Sequence, residues 1–221
     1  MAVRWFGTGV ARVGAYAAAA NLAIIPGLIA SAMFPMILGE VIRLTRRGQR
    51  ARALHLGQMV LNAVLWLLPL TAVASLAAPS LVLLVFGPSY IESGAFLTLL
   101  IWGAVGRMGC SMLVAVLAGL DRPALAWTSA WPGLLAALGG YLLLLPLFGA
   151  TGAALATALA GGVSLCVTVS LCVKRLQLTL SWATVGRVGL AMLIVFLMLK
   201  EVGFLRVSAE EELQGLNVAE H

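Results

Sequence analysis

Residues 95–119, AFLTLLIWGAVGRMGCSMLVAVLAG, decide the fold of this chain. The stretch is apolar apart from a few small polar residues and a single charge, Arg107. A helix of about 20 apolar residues crosses the roughly 30 Å hydrocarbon core of a bilayer. A water-free core requires every backbone polar group to be satisfied internally, and the stretch lacks the alternation of a membrane β-barrel strand. The sequence therefore predicts a transmembrane helix here.

Similar stretches occur on both sides of this one. Together they predict five spans, at about 13–39, 58–78, 95–119, 124–147 and 152–173. A sixth span is predicted at about 185–205, with Arg187 and Lys200 near its ends. Of the 221 residues, 62% are hydrophobic and 10% are charged, whereas a soluble domain has about 25% charged residues. We therefore expect an all-α, polytopic membrane helix bundle of five to six transmembrane helices over residues 13–205.

The flanking and connecting segments carry further expectations. Residues 1–12 are interpreted as the remnant of a preceding helix or an outer loop, and the polar residues 206–221 as a disordered tail. Residues 80–86 are apolar but too short to cross a bilayer, so we expect a separate interfacial turn of helix that ends at Gly87. Three prolines within the first two spans each remove a backbone donor and favour a kink, at Pro26, Pro35 and Pro69.

Positive charge alternates between successive connectors. Five arginines lie in 40–55, Arg122 lies in 121–123, and Lys174 and Arg175 lie in 174–184. The intervening connectors, residues 79–94 and 148–151, contain neither lysine nor arginine. The positive-inside rule therefore places the three basic connectors in the cytoplasm.

Several function classes lack support in this sequence. The net charge of +6 could suggest nucleic acid, but its largest cluster lies between two spans and carries no nucleic-acid motif, so no nucleic-acid partner is expected. The cysteines are odd in number and lie within apolar segments, so neither a disulfide framework nor a metal site is expected at Cys110, Cys166 or Cys172. Phosphate-binding loops, nucleophile elbows and ligand clusters are also missing, so we expect neither a cofactor nor enzymatic activity.

Arg107 is the strongest candidate for a binding residue. With about 12 residues on either side at 1.5 Å each, it lies roughly 18 Å from either end of its span, beyond the reach of a snorkelling side chain. An arginine at this depth costs at least about 3 kcal/mol on insertion scales and is a functional hypothesis by default. Its guanidinium suits bidentate contact with phosphate oxygens. The alternative is that Arg107 donates to the carbonyls of a kinked neighbouring helix.

Other residues allow two interpretations each. Asn21 and Asn62 could line a transport pathway or form hydrogen bonds between helices. Trp127 and Trp131 lie one helical turn apart near the cytoplasmic end of their span, where anchoring in the aromatic belt is favoured over stacking on a sugar. Small residues repeat along the fifth span and predict a face that packs closely against another helix, with Gly152, Ala156 and Ala160 beside Ala153, Thr157 and Gly161.

Four short motifs resemble a known family in order and spacing. They are V-G-A-Y (13–16), F-G-P-S-Y (86–90), L-D-R-P (120–123) and L-P-L-F-G-A-T-G-A-A-L-A-T-A (145–158). The region 13–176 resembles the polysaccharide and O-antigen flippases of the multidrug/oligosaccharidyl-lipid/polysaccharide exporter superfamily, which have the MATE-like fold. Members of that family have two six-helix lobes around a central cavity. By this resemblance the chain corresponds to the C-terminal lobe without its first helix.

The resemblance implies a function. It implies translocation of a lipid-linked oligosaccharide of the undecaprenyl diphosphate type across the inner (cytoplasmic) membrane for polysaccharide biosynthesis, such as that of the lipopolysaccharide O-antigen. Arg107 would then contact the diphosphate. The implied partners are the lipid-linked oligosaccharide, membrane lipids, and a separately encoded N-terminal lobe or a polysaccharide polymerase or ligase.

Three alternatives stay open at this point. A multidrug/ion antiporter of the same superfamily would favour acidic residues in its cavity. A lipid II flippase would also favour a cationic cavity. A non-transporting scaffold subunit of a polysaccharide synthesis complex would need no open cavity beside Arg107.

Overall fold

A computed structural model describes residues 2–179 and 182–201, and all the regular elements in that part of the chain are helices. Seven are α-helices, and a 3₁₀ turn at Pro88–Tyr90 follows the third. The α-helices are α1 (Ala2–Ala23), α2 (Ile25–Arg46), α3 (Arg50–Phe86), α4 (Ser93–Gly119), α5 (Pro123–Phe148), α6 (Ala150–Leu176) and α7 (Trp182–Glu201).

The chain is an all-α, multi-pass membrane protein. Five helical stretches are long and apolar enough to cross a membrane: Arg12–Arg46, which comprises the second half of α1 and all of α2, and the helices α3, α4, α5 and α6. α7 covers residues 182–201 of the region predicted for the sixth span. The rest of that region, 202–205, and the predicted tail, 206–221, lie outside the described residues.

The first and second spans differ in detail from the expectation. A turn at Ile24 divides the first span into α1 and α2, and Pro26 lies in the first turn of α2, where its missing N–H would be unpaired anyway. The separate interfacial turn expected at 80–86 is wrong, because these residues continue α3. With 37 residues, α3 is about 55 Å long and exceeds the bilayer core. It ends at Gly87, whose φ of 80° favours glycine.

α4 is the central helix of the bundle and packs against α1, α2, α3, α5 and α6. Its apolar side chains join two buried clusters. One cluster is centred on Leu61, Leu113 and Val116, and the other on Val82, Phe96 and Leu97. Lipid tails are as apolar as leucine, so this core is stabilised chiefly by van der Waals packing rather than by removal of apolar surface from water.

The small-residue face predicted for α6 is confirmed, and it packs against two helices, α4 and α5. A side-chain carbon added at Gly106 of α4 would lie 2.6 Å from the backbone of Gly161 of α6. One added at Gly140 of α5 would lie 2.9 Å from the Ala156 side chain. The backbones therefore approach so closely that only glycine fits at these crossings, as in other membrane helix pairs. These contacts hold α4, α5 and α6 together around the cavity described next.

Candidate functional site

Arg107 lines a cavity between α4, α5 and α6. Its neighbours Gly106 and Met108 are buried in the bundle, whereas the Arg107 side chain is exposed. The cavity has a volume of about 490 Å³. Its lining comprises Arg107, Trp127, Ala130, Trp131, Gly133, Leu134, Ala137, Tyr141, Thr157, Ala160 and Ser164. We call it the Arg107 cavity.

Small side chains on α5 and α6 make room for this cavity. Ala130, Gly133 and Ala137 recur every three to four residues along α5 and therefore face one direction. Gly133 packs directly on Ser164 of α6, so no side chain fits between the two helices there. Larger residues at Ala130 or Ala137 would reduce the volume of the cavity.

The Arg107 guanidinium is the single charge in the lining of its cavity, which contains no carboxylate. Within the described residues the only ion pair joins Arg43 and Glu40, at 2.6 Å near the end of α2. The charge of Arg107 is therefore not balanced by any described acidic side chain. Its position near the middle of α4 places it far from either end of the helix. An unbalanced cation at this depth attracts an anion.

Hydroxyl groups cluster at one end of the Arg107 cavity. The oxygens of Tyr141 and Thr157 are 2.7 Å apart. Because the Thr157 hydroxyl donates to the backbone carbonyl of Ala153 at 2.9 Å, the Tyr141 hydroxyl is the donor in their bond. Tyr16 of α1 lies beside this pair. These three side chains form what we call the hydroxyl cluster.

The hydroxyl cluster also borders a second cavity. That cavity has a volume of about 680 Å³ and contains Tyr16, Arg12 and Glu92 in its lining. Tyr16 also packs edge-to-face on Phe96, with ring centroids 6.0 Å apart. Tyr141 and Thr157 thus line the Arg107 cavity, and Tyr16 lines the second cavity.

An aromatic pair occupies the other end of the Arg107 cavity. The indole rings of Trp127 and Trp131 are 6.0 Å apart and nearly perpendicular, with an interplanar angle of 85°. Their exposed fractions are 68% and 49%, so much of each ring is free. The site thus combines a guanidinium, open indole faces and hydroxyl groups in one elongated cavity.

The structure does not bring the three predicted site residues together. Asn62 accepts a hydrogen bond from the Gln58 amide at 3.2 Å, and that amide also donates to the Thr179 carbonyl at 2.8 Å. The bond of Asn62 therefore lies within α3, and it is Gln58 that ties α3 to the segment after α6. Among the described residues, the hydrogen bond expected between Asn62 and another helix is not observed. Asn21 is exposed on α1 and does not line the Arg107 cavity. Of the three, only Arg107 does.

Sequence reasoning missed the hydroxyls of the site. Tyr141 precedes a run of leucines in the fourth span, and that lone hydroxyl at membrane depth was the available signal. Thr157 was recognised only as part of the small-residue face of α6. Trp131, for which anchoring was favoured, lines the Arg107 cavity, and Tyr16 lines a second cavity.

No family model, no curated protein and no solved structure matches the chain. The function is therefore inferred from the geometry of the Arg107 cavity and from the motifs of the sequence.

Proposed function

We propose that this chain is one lobe of a transporter that moves a lipid-linked oligosaccharide, of the undecaprenyl diphosphate type, across the inner (cytoplasmic) membrane for polysaccharide biosynthesis. The observation that carries the proposal is the unbalanced guanidinium of Arg107, which opens into a cavity near the middle of a membrane-spanning helix. The resemblance of the four sequence motifs to polysaccharide flippases supports the same conclusion.

The chemistry of the cavity suits a diphosphate head group. A guanidinium donates two parallel hydrogen bonds to oxyanions, and such charge-assisted bonds are about twice as strong as neutral ones. The remaining lining is mostly apolar, with hydroxyls at one end. An amphipathic lipid whose head is anionic and whose tail stays in the bilayer matches this combination.

The composition of the lining favours this proposal over two rivals. A multidrug/ion antiporter needs a carboxylate for its cationic substrate, and the Arg107 cavity has none. A scaffold subunit needs no cavity at Arg107, whereas about 490 Å³ is open beside it. Lipid II also carries a diphosphate, and it differs from the proposed substrate in its glycan.

Binding of the diphosphate is the first test. Wild-type chain, Arg107→Gln and Arg122→Gln are reconstituted in nanodiscs, and affinity for undecaprenyl diphosphate is measured by native mass spectrometry. Hydrogen bonds to charged groups contribute about 1.5–3 kcal/mol, so Arg107→Gln should weaken binding at least about tenfold. Arg122, an exposed arginine in the connector between α4 and α5, is the matched control and should leave affinity unchanged.

A cellular test completes the experiment. In the complete transporter, Arg107→Ala should abolish surface glycan while membrane insertion stays intact. Wild-type glycan in that variant, or equal affinities of Arg107→Gln and wild type for the diphosphate lipid, would overturn the proposal. Preferential binding of lipid II over other diphosphate-linked glycans would reassign the substrate to the cell-wall precursor.

A further inference from the structure

The Arg107 cavity is elongated along α5. Its lining extends from Trp127 to Tyr141, and these 14 residues of helix correspond to about 21 Å. A diphosphate bound by one guanidinium occupies only part of that length. The part on the Trp127 side is therefore open to whatever is attached to the phosphate.

The position of the guanidinium relative to the indoles follows from the helix lengths. α4 ends at Gly119 and α5 begins at Pro123, so these two ends lie on the same side of the bundle. Arg107 lies 12 residues, about 18 Å, before the end of α4, and Trp131 lies 8 residues, about 12 Å, after the start of α5. Trp131 is thus about 6 Å nearer that side than Arg107, and Trp127 about 12 Å nearer. Along the cavity, Trp131 therefore lies next to the guanidinium and Trp127 lies beyond Trp131.

The indole faces are available to a ligand. In the edge-to-face arrangement of Trp127 and Trp131, the edge of one ring meets the face of the other and the remaining faces are free. The adjacent lining residues Ala130 and Gly133 are too small to cover them. Each indole also carries one N–H donor, so it offers an apolar face together with a polar group.

An aromatic belt alone does not account for this arrangement. A belt tryptophan lies at the level of the lipid head groups, whereas Trp131 lies about 12 Å into α5 and lines the same cavity as Arg107. Trp66 of α3 has nearly the same exposed fraction, 47% against 49%, but does not line that cavity. Trp131 therefore differs from Trp66 in what it faces rather than in how exposed it is.

We propose that Trp131, with Trp127 beyond it, is a carbohydrate-stacking platform that binds the first sugars attached to the diphosphate held by Arg107. The C–H face of a pyranose ring is apolar and stacks on an aromatic face, while its hydroxyls stay available to water and to the indole N–H. This inference rests on the proposed function and adds where the sugar binds.

The test compares two lipids that differ only in the sugar. Undecaprenyl diphosphate and undecaprenyl diphosphate–N-acetylglucosamine are titrated against the full chain in nanodiscs, with affinities measured by native mass spectrometry. Trp131→Ala should weaken binding of the sugar-bearing lipid about tenfold and leave the affinity for the sugar-free lipid unchanged. Arg107→Gln should weaken both, and Trp66→Ala should weaken neither.

A second variant keeps the test valid if Trp131→Ala does not fold. Trp131→Phe retains an aromatic face of smaller area and should reduce affinity for the sugar-bearing lipid by about threefold, again without effect on the sugar-free lipid. If wild type and the tryptophan variants bind each lipid equally, or if a variant weakens both lipids alike, the stacking platform is refuted and the diphosphate site stands. If wild-type chain binds neither lipid, the proposed function and this inference both fail.

Discussion

Replacing Gly161 with alanine is the sharpest test of the packing that holds the Arg107 cavity open. An added side-chain carbon at this position would meet the backbone of Gly103 in α4, including its carbonyl oxygen, and would lie 2.8 Å from its Cα. Ordinary contacts of such a carbon are 3.4–4 Å. Because the obstacle is backbone, it cannot rotate away, and α4 and α6 must separate by roughly 1 Å to admit the methyl group.

The expected magnitude follows from this geometry. Overpacking of a close-packed interior costs about 1–3 kcal/mol, and a backbone obstacle places Gly161→Ala near the upper end. Gly162, the next residue, has nothing within 4 Å of an added carbon and serves as the matched control. Alanine is about 0.8–1 kcal/mol better than glycine within a helix, so Gly162→Ala should be neutral or slightly stabilising. The two variants should differ by about 3 kcal/mol in their free energies of unfolding.

Thermal unfolding of both variants in one detergent measures this difference. The midpoint of Gly161→Ala, read as loss of the monodisperse peak after heating, should fall well below wild type, and that of Gly162→Ala should match or exceed it. Gly161→Ala should also bind undecaprenyl diphosphate more weakly, because separation of α4 from α6 moves Arg107 away from Thr157. Equal midpoints for the two alanine variants would refute the close approach of α4 and α6.

Two further predictions concern the hydroxyl cluster and the topology. Tyr141→Phe removes the hydrogen bond to Thr157. A double-mutant cycle with Thr157→Val should therefore show a coupling of about 0.6 kcal/mol in the free energy of unfolding. Additive effects of the two substitutions would show that the bond does not form. In a cysteine-free background, Ser89→Cys should react with an impermeant thiol reagent in intact cells whereas Arg47→Cys should not, because the positive-inside rule places the arginine-rich connector in the cytoplasm. Labelling of Arg47→Cys in intact cells would reverse the orientation.

The α4–α5–α6 contacts illustrate how far sequence reasoning reaches. The repeat of small residues on α6 predicted close packing correctly, because a backbone approach of this kind needs glycine or alanine wherever it occurs. Which helix each face meets was not predictable. Gly161 packs on α4 and Ala156 on α5, and this choice depends on how the two helices are rotated against α6.

The long helix α3 shows a local signal that tertiary structure overrides. The apolar stretch 80–86 is too short to cross a bilayer and suggested a separate turn, yet α3 continues through Pro79 to Phe86. Gly94, at the start of α4, packs on Pro79 so closely that an added carbon would lie 2.8 Å from the proline Cα. The Thr98 hydroxyl of α4 lies 3.1 Å from the Ser75 carbonyl, which Pro79 leaves without its backbone donor, so a neighbouring helix provides a partner as in other membrane proteins.

The sequence by itself determined that this protein is surrounded by lipid, that it is helical and how deep Arg107 lies in the membrane. These properties are local, because span length and the rise per residue set the depth of every side chain in a bilayer. Only the tertiary structure decided that Arg107 shares a cavity with Trp131 and Tyr141 rather than with Asn21 or Asn62. The physical reason is that lipid is as apolar as the core, so hydrophobic periodicity does not reveal which face of a span is buried.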